Sequence, residues 1–349
     1  MMARATIKSV ARETGYSVGT VSNALRGAAS VREETRQEIQ AAAARLGYRV
    51  NMDGLKLRTN KSYRIAVLVS VSTEASEEWE GVEFTRILAG ISAALHDSRY
   101  EMSVFNVADL SDAMTTLARI VQDGLADGAI FSGTLHDDPR IAFLQQHGFP
   151  FVTMGMSNSK TPHAYVDIDS QAAAFDATAR LVQLGHRRIA LVNPPAQLIY
   201  ATQREQGYTQ ALTEAGLKPD PALIFNGPTT ARTGQNCLEA LMKLRGRPTA
   251  VICANEAMTL GVLSAAHKSG VQIGRELVVI STDDLQLSRY FVPPPSTYYV
   301  PIEDTSRLLG EYMLKALDGA DPSETQKKIR ATLIERQPDT PAPQTAPTT

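Results

Sequence analysis

Cysteine is nearly absent from this chain: Cys237 and Cys253 are the only two in 349 residues. Two thiols beside apolar neighbours cannot build a disulfide framework or a cysteine zinc site, so both are expected to be buried and inert. Long apolar runs are missing too. No stretch of 18 or more apolar residues occurs, which excludes a membrane-spanning helix. Met1 to Ser9 carries Arg4 and Lys8 without an apolar segment, so no secretory leader is expected and the protein should stay in the cytoplasm. The six histidines are scattered. No Gly-x-Ser-x-Gly, phosphate-binding loop, metal-spaced His/Cys set or paired nucleophile and base is found, which argues against an enzyme and implies no cofactor and no metal.

What is present is a chain too long for one core, with two or three domains expected. Its net charge of -2 conceals an uneven split. Residues 1–61 hold 11 Lys/Arg against 5 Asp/Glu, and the remainder hold 24 against 32. A small basic head on an acidic body suits nucleic acid, because neutralising phosphates releases counterions and supplies most non-specific affinity. Within that head Thr6 is a good N-cap, and Ile7, Val10 and Ala11 fall at i, i+3 and i+4, which predicts a first helix ended by Gly15. Ser17 opens a second helix that buries Val21, Ala24 and Leu25 and leaves Val18, Gly19, Ser22 and Asn23 outside. The pair forms a helix-turn-helix pattern. Ser30-Val31-Arg32-Glu33 reads as a capping box for a third helix with Thr35, Ile39, Ala42, Ala43 and Leu46 as its stripe.

Thr6, Val10-Ala11, Gly15, Ser17, Thr20-Val21-Ser22, Thr35-Arg36, Leu46-Gly47-Tyr48 and Asn51 together resemble, nearly position for position, the N-terminus of the LacI/GalR family of bacterial transcription regulators. The resemblance runs over about residues 5–336. It implies a sequence-specific DNA-binding regulator, a repressor, whose operator affinity is controlled by a small effector. Ser17, Thr20, Ser22, Tyr48 and Asn51 match positions that hold the DNA backbone, and Thr6 belongs to the same DNA-binding set. Val18, Gly19 and Asn23 match the base-reading positions. Asn23 suits an adenine edge and Val18 a thymine methyl, whereas Gly19 offers no side chain, so direct readout is expected to be sparse. Residues 51–62 match the family's hinge, with Leu57 at the position that wedges the minor groove and Arg58 in reach of phosphate. Val50 stands where the family usually has proline, and Gly54 where it usually has alanine.

From Ile65 onward short apolar runs alternate with amphipathic stretches, the pattern of parallel βαβ units. Strands are expected at 65–71, 102–106, 128–132, 151–154, 165–168, 188–192, 250–253 and 277–281, with helices between them, giving two doubly wound lobes. The expected architecture is a small all-α helix-turn-helix head at 1–50, the hinge, an α/β core of two parallel-sheet lobes at 63–336, and a proline-rich disordered tail at 337–349. The order of elements resembles periplasmic sugar-binding proteins, and in that fold the chain crosses between lobes near 168, 296 and 330.

Ligands of such sheets bind beyond the carboxyl ends of the strands, here in the cleft between lobes. Leu184-Gly185-His186-Arg187-Arg188-Ile189-Ala190 followed by Arg204-x-x-Gly207-Tyr208 matches the family closely. By that resemblance Arg204, Asn255, Asp283 and Asp169 bind effector, with Asp167 a neighbouring candidate; guanidinium, amide and carboxylate are suited to adjacent hydroxyls. The loop from Ser70 departs from the family. It is acidic and hydroxyl-rich, Ser70 enters the candidate set, and stacking on a sugar ring would fall to Phe84, to Tyr208 or to no residue at all. A sugar or polyol is the expected effector. No leucine heptad follows the core, so a homodimer on palindromic double-stranded operator DNA is expected. The alternative reading is a sugar-binding sensor without regulated DNA binding.

Overall fold

A computed structural model of the chain describes residues 5–25, 28, 30–48, 59, 61–70, 81–283 and 285–336, apart from the side chains at 81–83 and 283. The hinge positions Asn51, Leu57 and Arg58, most of the acidic loop at 71–80 and the tail at 337–349 lie outside the described residues.

Two compact units divide the chain, residues 1–62 and 63–349. The first contains α1 (Ile7–Thr14), α2 (Val18–Leu25) and α3 (Glu33–Arg45). Thr6 caps α1: its Oγ1 accepts from the Ser9 amide at 3.3 Å, and the Ser9 hydroxyl accepts from the Thr6 amide at 2.9 Å. Gly15 ends the helix at φ +74°, a left-handed conformation that costs glycine little. The predicted capping box at Ser30 does not form. Arg32 is the residue before α3 and makes no side-chain cap. The loop there is fixed instead by the Arg36 guanidinium, which donates to the carbonyls of Ala28 at 3.1 Å and Val31 at 3.3 Å.

The second unit is built on two six-stranded sheets. Lobe 1 uses β1 (Arg64–Ser70), β2 (Glu101–Val107), β3 (Gly128–Ser132), β4 (Phe151–Met154), β5 (Ala164–Ile168) and β11 (Gln326–Ile329), in the order β11-β5-β4-β3-β1-β2, all parallel. Ile65, Val67 and Val69 of β1 pack against α4 (Gly81–Leu95) and α11 (Ile302–Leu317). Ala66 and Leu68 face α5 (Leu110–Gln122) and α6 (Pro139–Gln146). A parallel strand covered on both faces must be apolar throughout, which is why β1 reads as an unbroken run.

Lobe 2 repeats the plan with β6 (Ile189–Asn193), β7 (Ile224–Asn226), β8 (Ala250–Cys253), β9 (Val278–Asp283), β10 (Ser296–Tyr299) and β12 (Thr332–Ile334), ordered β12-β10-β9-β8-β6-β7. Only β12, on β10, runs antiparallel among its described pairings. One face packs on α7 (Ser170–Gln183) and α8 (Ile199–Glu214), the other on α9 (Ala231–Leu241) and α10 (Glu256–Lys268). Helices α7 and α8 touch closely at Gly207, where a Cβ would stand 2.1 Å from the Gln171 carbonyl oxygen, so only glycine fits. The chain passes between lobes from β5 to α7, from β10 to α11 and from β11 to β12, and the Asp169 amide donates to the Ile329 carbonyl at 2.8 Å to tie two of these passages together. No described helix is long and apolar enough to cross a membrane.

Candidate nucleic-acid interface and inter-lobe cleft

In the head, the helical period decides which side of α2 is available. Val21 and Ala24 are buried against α1 and α3, so the opposite side carries Val18, 42% exposed, and the exposed Gly19. Ser17 caps the helix: the Thr20 amide donates to its Oγ at 3.0 Å, and the two hydroxyls lie 2.9 Å apart. These hydroxyls, with the unpaired amide dipoles of a first turn, are groups that phosphate oxygens take readily. A side chain at Gly19 would meet nothing closer than Ser17 Oγ at 3.7 Å, so that position is open space. Ser22 and Asn23 are half-buried. Tyr48 packs beside the head cluster, and burial holds its phenol above the ordinary value, keeping it a proton donor. The Arg45–Glu13 pair at 2.9 Å and the Tyr16 hydroxyl donating to Glu38 at 3.0 Å brace α1 and the turn against α3.

In the core, the parallel register brings the lobe-2 candidates to one place. Cys253 pairs with Ser281 across β8 and β9, and Asp283 with Tyr299 across β9 and β10. Arg204, on α8 and 5% exposed, reaches these strand ends: its guanidinium lies 3.4 Å from both Thr282 Oγ1 and the Cys253 carbonyl oxygen. A crevice around it is lined by Ala173, Ala177, Ile252, Ile280, Thr282 and Tyr298. Asn255 caps α10, accepting from the Met258 amide at 2.9 Å and donating to the Thr229 carbonyl at 3.0 Å. Its side chain therefore already has a structural job. The backbone of Asp283 closes β9, and its side chain lies outside the described residues.

Lobe 1 contributes less compactly. Asp169 caps α7 through the Ala172 amide at 3.0 Å and stands 3.6 Å from Lys328 Nζ. Asp167 is 2% exposed; burial pushes its carboxyl up to about 6, opposed by the Lys328 charge and by hydrogen bonds from the Met156 and Ile168 amides. Ser70 ends β1 and is exposed. Three strand spacings separate β1 from β5, roughly 14 Å, so Ser70 and Asp167 do not form one cluster. Phe84 packs against the lobe-1 core. Tyr208 is fully buried and donates its hydroxyl to the Ile189 carbonyl at 2.7 Å, so it presents no ring for stacking.

The Leu184 to Ala190 signature serves the opposite end of the sheet. His186 is buried with Nδ1 2.8 Å from Thr249 Oγ1, and Arg188 joins the Gly246 carbonyl at 2.7 Å and Asp220 at 3.1 Å. These contacts brace the starts of β6 and β8, away from the cleft. Thr282 escaped the sequence reading; its neighbour Asp283 was the only signal. The loop after β3 escaped it entirely.

A helix-turn-helix head followed by a two-lobed parallel core defines a DNA-binding transcription regulator with a ligand-sensing body. Residues 6–51 match the family of bacterial regulatory proteins, lacI family, and residues 178–337 match a periplasmic binding protein-like domain. The HTH-type transcriptional regulator AglR of Rhizobium meliloti is 32% identical over 98% of this chain and 96% of its own length. The HTH-type transcriptional repressor CytR of Escherichia coli is 31% identical over 90% and 89%. Among solved structures, the complex of the transcriptional regulator CelR with cellobiose superposes with a TM-score of 0.72 at 25% identity, covering 95% of this chain and 99% of that one. The chain belongs to the lacI family of bacterial regulatory proteins, as its N-terminal residues implied.

Proposed function

We propose that this chain is a cytoplasmic, non-enzymatic repressor that binds palindromic operator DNA as a homodimer and is controlled by a sugar or polyol held between the two lobes. The observation that carries the effector reading is the nearly buried Arg204 guanidinium at the carboxyl ends of β8 and β9, where it meets the Thr282 hydroxyl and the Cys253 carbonyl in an otherwise apolar crevice. The cellobiose in the similarly folded CelR supports a saccharide. Arg204, Asn255, Asp283, Asp169 and Asp167 are assigned to the effector, with Ser70 and Phe84 at the margin. Thr6, Ser17, Val18, Gly19, Thr20, Ser22, Asn23 and Tyr48, with Asn51, Leu57 and Arg58 of the hinge, are assigned to DNA. The working divisions are a head at 1–50, a hinge at 51–62 and a core at 63–336.

Dimerisation is supported by apolar surface on the core. Leu260 on α10 is 49% exposed and Tyr290 is 75% exposed. A buried hydrogen bond from the Ser288 amide to Glu256 at 2.6 Å joins the segments that carry them. Val104 on the edge strand β2 is also exposed. Coupling between effector and operator needs only about 1–3 kcal/mol, a 5- to 150-fold change in affinity.

The test is a fluorescence titration of operator duplex against a panel of saccharides and polyols that includes cellobiose. One compound shifts the operator Kd by 5-fold or more, and Arg204→Ala keeps DNA affinity while losing that response. A panel without any shift, or an equal response from Arg204→Ala, overturns the effector assignment.

A further inference from the structure

The loop leaving β3 in lobe 1 and the start of α8 in lobe 2 touch directly. The Ile199 amide donates to the Thr134 carbonyl at 3.0 Å, and Leu135 and Leu198 form an isolated antiparallel bridge. Beside that bridge, His136 Nε2 lies 2.9 Å from Thr202 Oγ1. On lobe 1 these atoms belong to the loop at the carboxyl end of β3, and on lobe 2 to Leu198 and the first turn of α8, which follows β6.

The lobe-1 side of the contact is held in place from behind. Asn158 Nδ2 lies 3.2 Å from His136 Nδ1, and the Asn158 backbone N–H donates to the His136 carbonyl at 3.1 Å. The Thr134 hydroxyl donates to the Met156 carbonyl at 2.7 Å. Below the loop, Asp138 and Arg140 form a buried ion pair at 2.6 Å, with Arg140 also donating to the Ser132 and Gly133 carbonyls and lying 4.6 Å over the Phe131 ring. Asp138 in turn accepts from the Leu135 amide at 3.1 Å. The desolvation cost of this buried pair is offset by the hydrogen bonds it makes to the Ser132 and Gly133 carbonyls and the Leu135 amide, which tie it to the loop.

Position makes this contact more than packing. The passages between lobes lie at β5 and β11 in one sheet and at β10 and β12 in the other. The contact sits at β3 and β6, two and three strand spacings away, roughly 10–14 Å. Opening about those passages by about 15° separates its partners by about 3 Å, beyond hydrogen-bond reach. The lobes cannot open with this contact intact.

We infer that Thr134, Leu135 and His136 clasp Leu198, Ile199 and Thr202 as a strap that holds the two lobes shut, so that ligand reaches the cleft only after the strap parts. The strap is made wholly of this chain's own groups and needs no ligand to form. Its consequence for effector binding rests on the cleft being the effector site; its existence does not.

Proline at 199 provides the sharpest test. Ile199 is the first residue of α8, where proline is tolerated, and Leu198 before it has φ -77° and ψ 133°, the extended geometry that proline demands of its predecessor. Ile199→Pro thus deletes the inter-lobe donor while keeping the helix. Ile199→Ala loses the same side chain but keeps the amide. Spin labels on Gln146→Cys and Gln206→Cys, both exposed, report the lobe separation in the purified full chain, since Cys237 and Cys253 are 2% and 0% exposed and resist labelling. The strap predicts one narrow distance for the Ile199→Ala protein and a broader distribution several ångströms longer for Ile199→Pro, with Thr202→Val shifted the same way to a smaller extent. Superimposable distributions for all three overturn it. If Ile199→Pro does not fold, as read by circular dichroism, Thr202→Val and His136→Ala decide the matter against the unsubstituted chain. This readout uses no ligand, so the strap stands if no saccharide binds, and falls alone if saccharides bind and the distances do not move.

Discussion

Among the described residues of the head, the buried cluster consists of seven side chains, four of them alanine, whereas each lobe of the core buries a cluster on either face of a six-stranded sheet. The difference bears on how each part works. A small unit with so little apolar volume is marginal by itself, and its proposed contact groups stand on the surface, where the helical period alone selects them. The core places its proposed contact groups at strand ends, and their positions depend on the register of a whole sheet. The head is expected to be the less stable unit, with its proposed contact groups on the surface, and the core the more stable one, with its proposed contact groups partly buried.

The largest effect that should separate the two comes from Ile39→Ala. Removing this fully buried side chain costs about 2–5 kcal/mol in a well-packed core. In a cluster of seven it should leave the head largely unfolded, lowering operator affinity at least tenfold while the core's melting transition stays where it was. A joint shift of both would mean that the two units do not fold independently.

Next is Asp167→Asn, which probes the core alone. The buried carboxyl titrates at about 6 in the folded chain against 3.8 for a free one, so the folded state holds the extra proton between those values. Its contribution is fully present below pH 3.8 and is lost as pH rises through 6, by up to about 3 kcal/mol. The asparagine variant should therefore gain on the parent protein as pH is raised from 4 to 6 in denaturant titrations, then hold a constant difference. A pH-independent difference would remove the burial argument.

Smaller again is Ser17→Ala, which deletes the cap of α2 and should cost the head about 1 kcal/mol without touching the core. The smallest is Glu13→Gln. It breaks a solvent-exposed pair with Arg45 and should change head stability by less than about 1 kcal/mol, with the difference vanishing in high salt.

The same contrast explains what could be read from the residues alone. Helices α1 and α2 followed from the spacing of Val10, Ala11, Val21 and Ala24, and β1 from its unbroken apolar run. Strand β11 did not, because Gln326, Lys327 and Lys328 are exposed on an edge, where charge is favoured and the apolar pattern disappears. Strands β7 and β12 have three residues each, too few for a period. In the site, Arg204 and Asn255 were named by resemblance. Their actual partners, Thr282, Cys253 and Thr229, are set by the packing of α8 and the start of α10 against the sheet, which no local pattern encodes. The burial of Tyr208 was equally hidden, since an aromatic one turn beyond Arg204 can face the cleft or the core.

The most direct measurement of the central claim is selection of binding sites by the purified full chain from a library of random DNA duplexes. Enrichment of a single palindromic sequence is expected, bound more weakly by Leu57→Ala and released or tightened by one saccharide of the panel. Recovery of no common sequence, with the head folded and the chain dimeric, would contradict it.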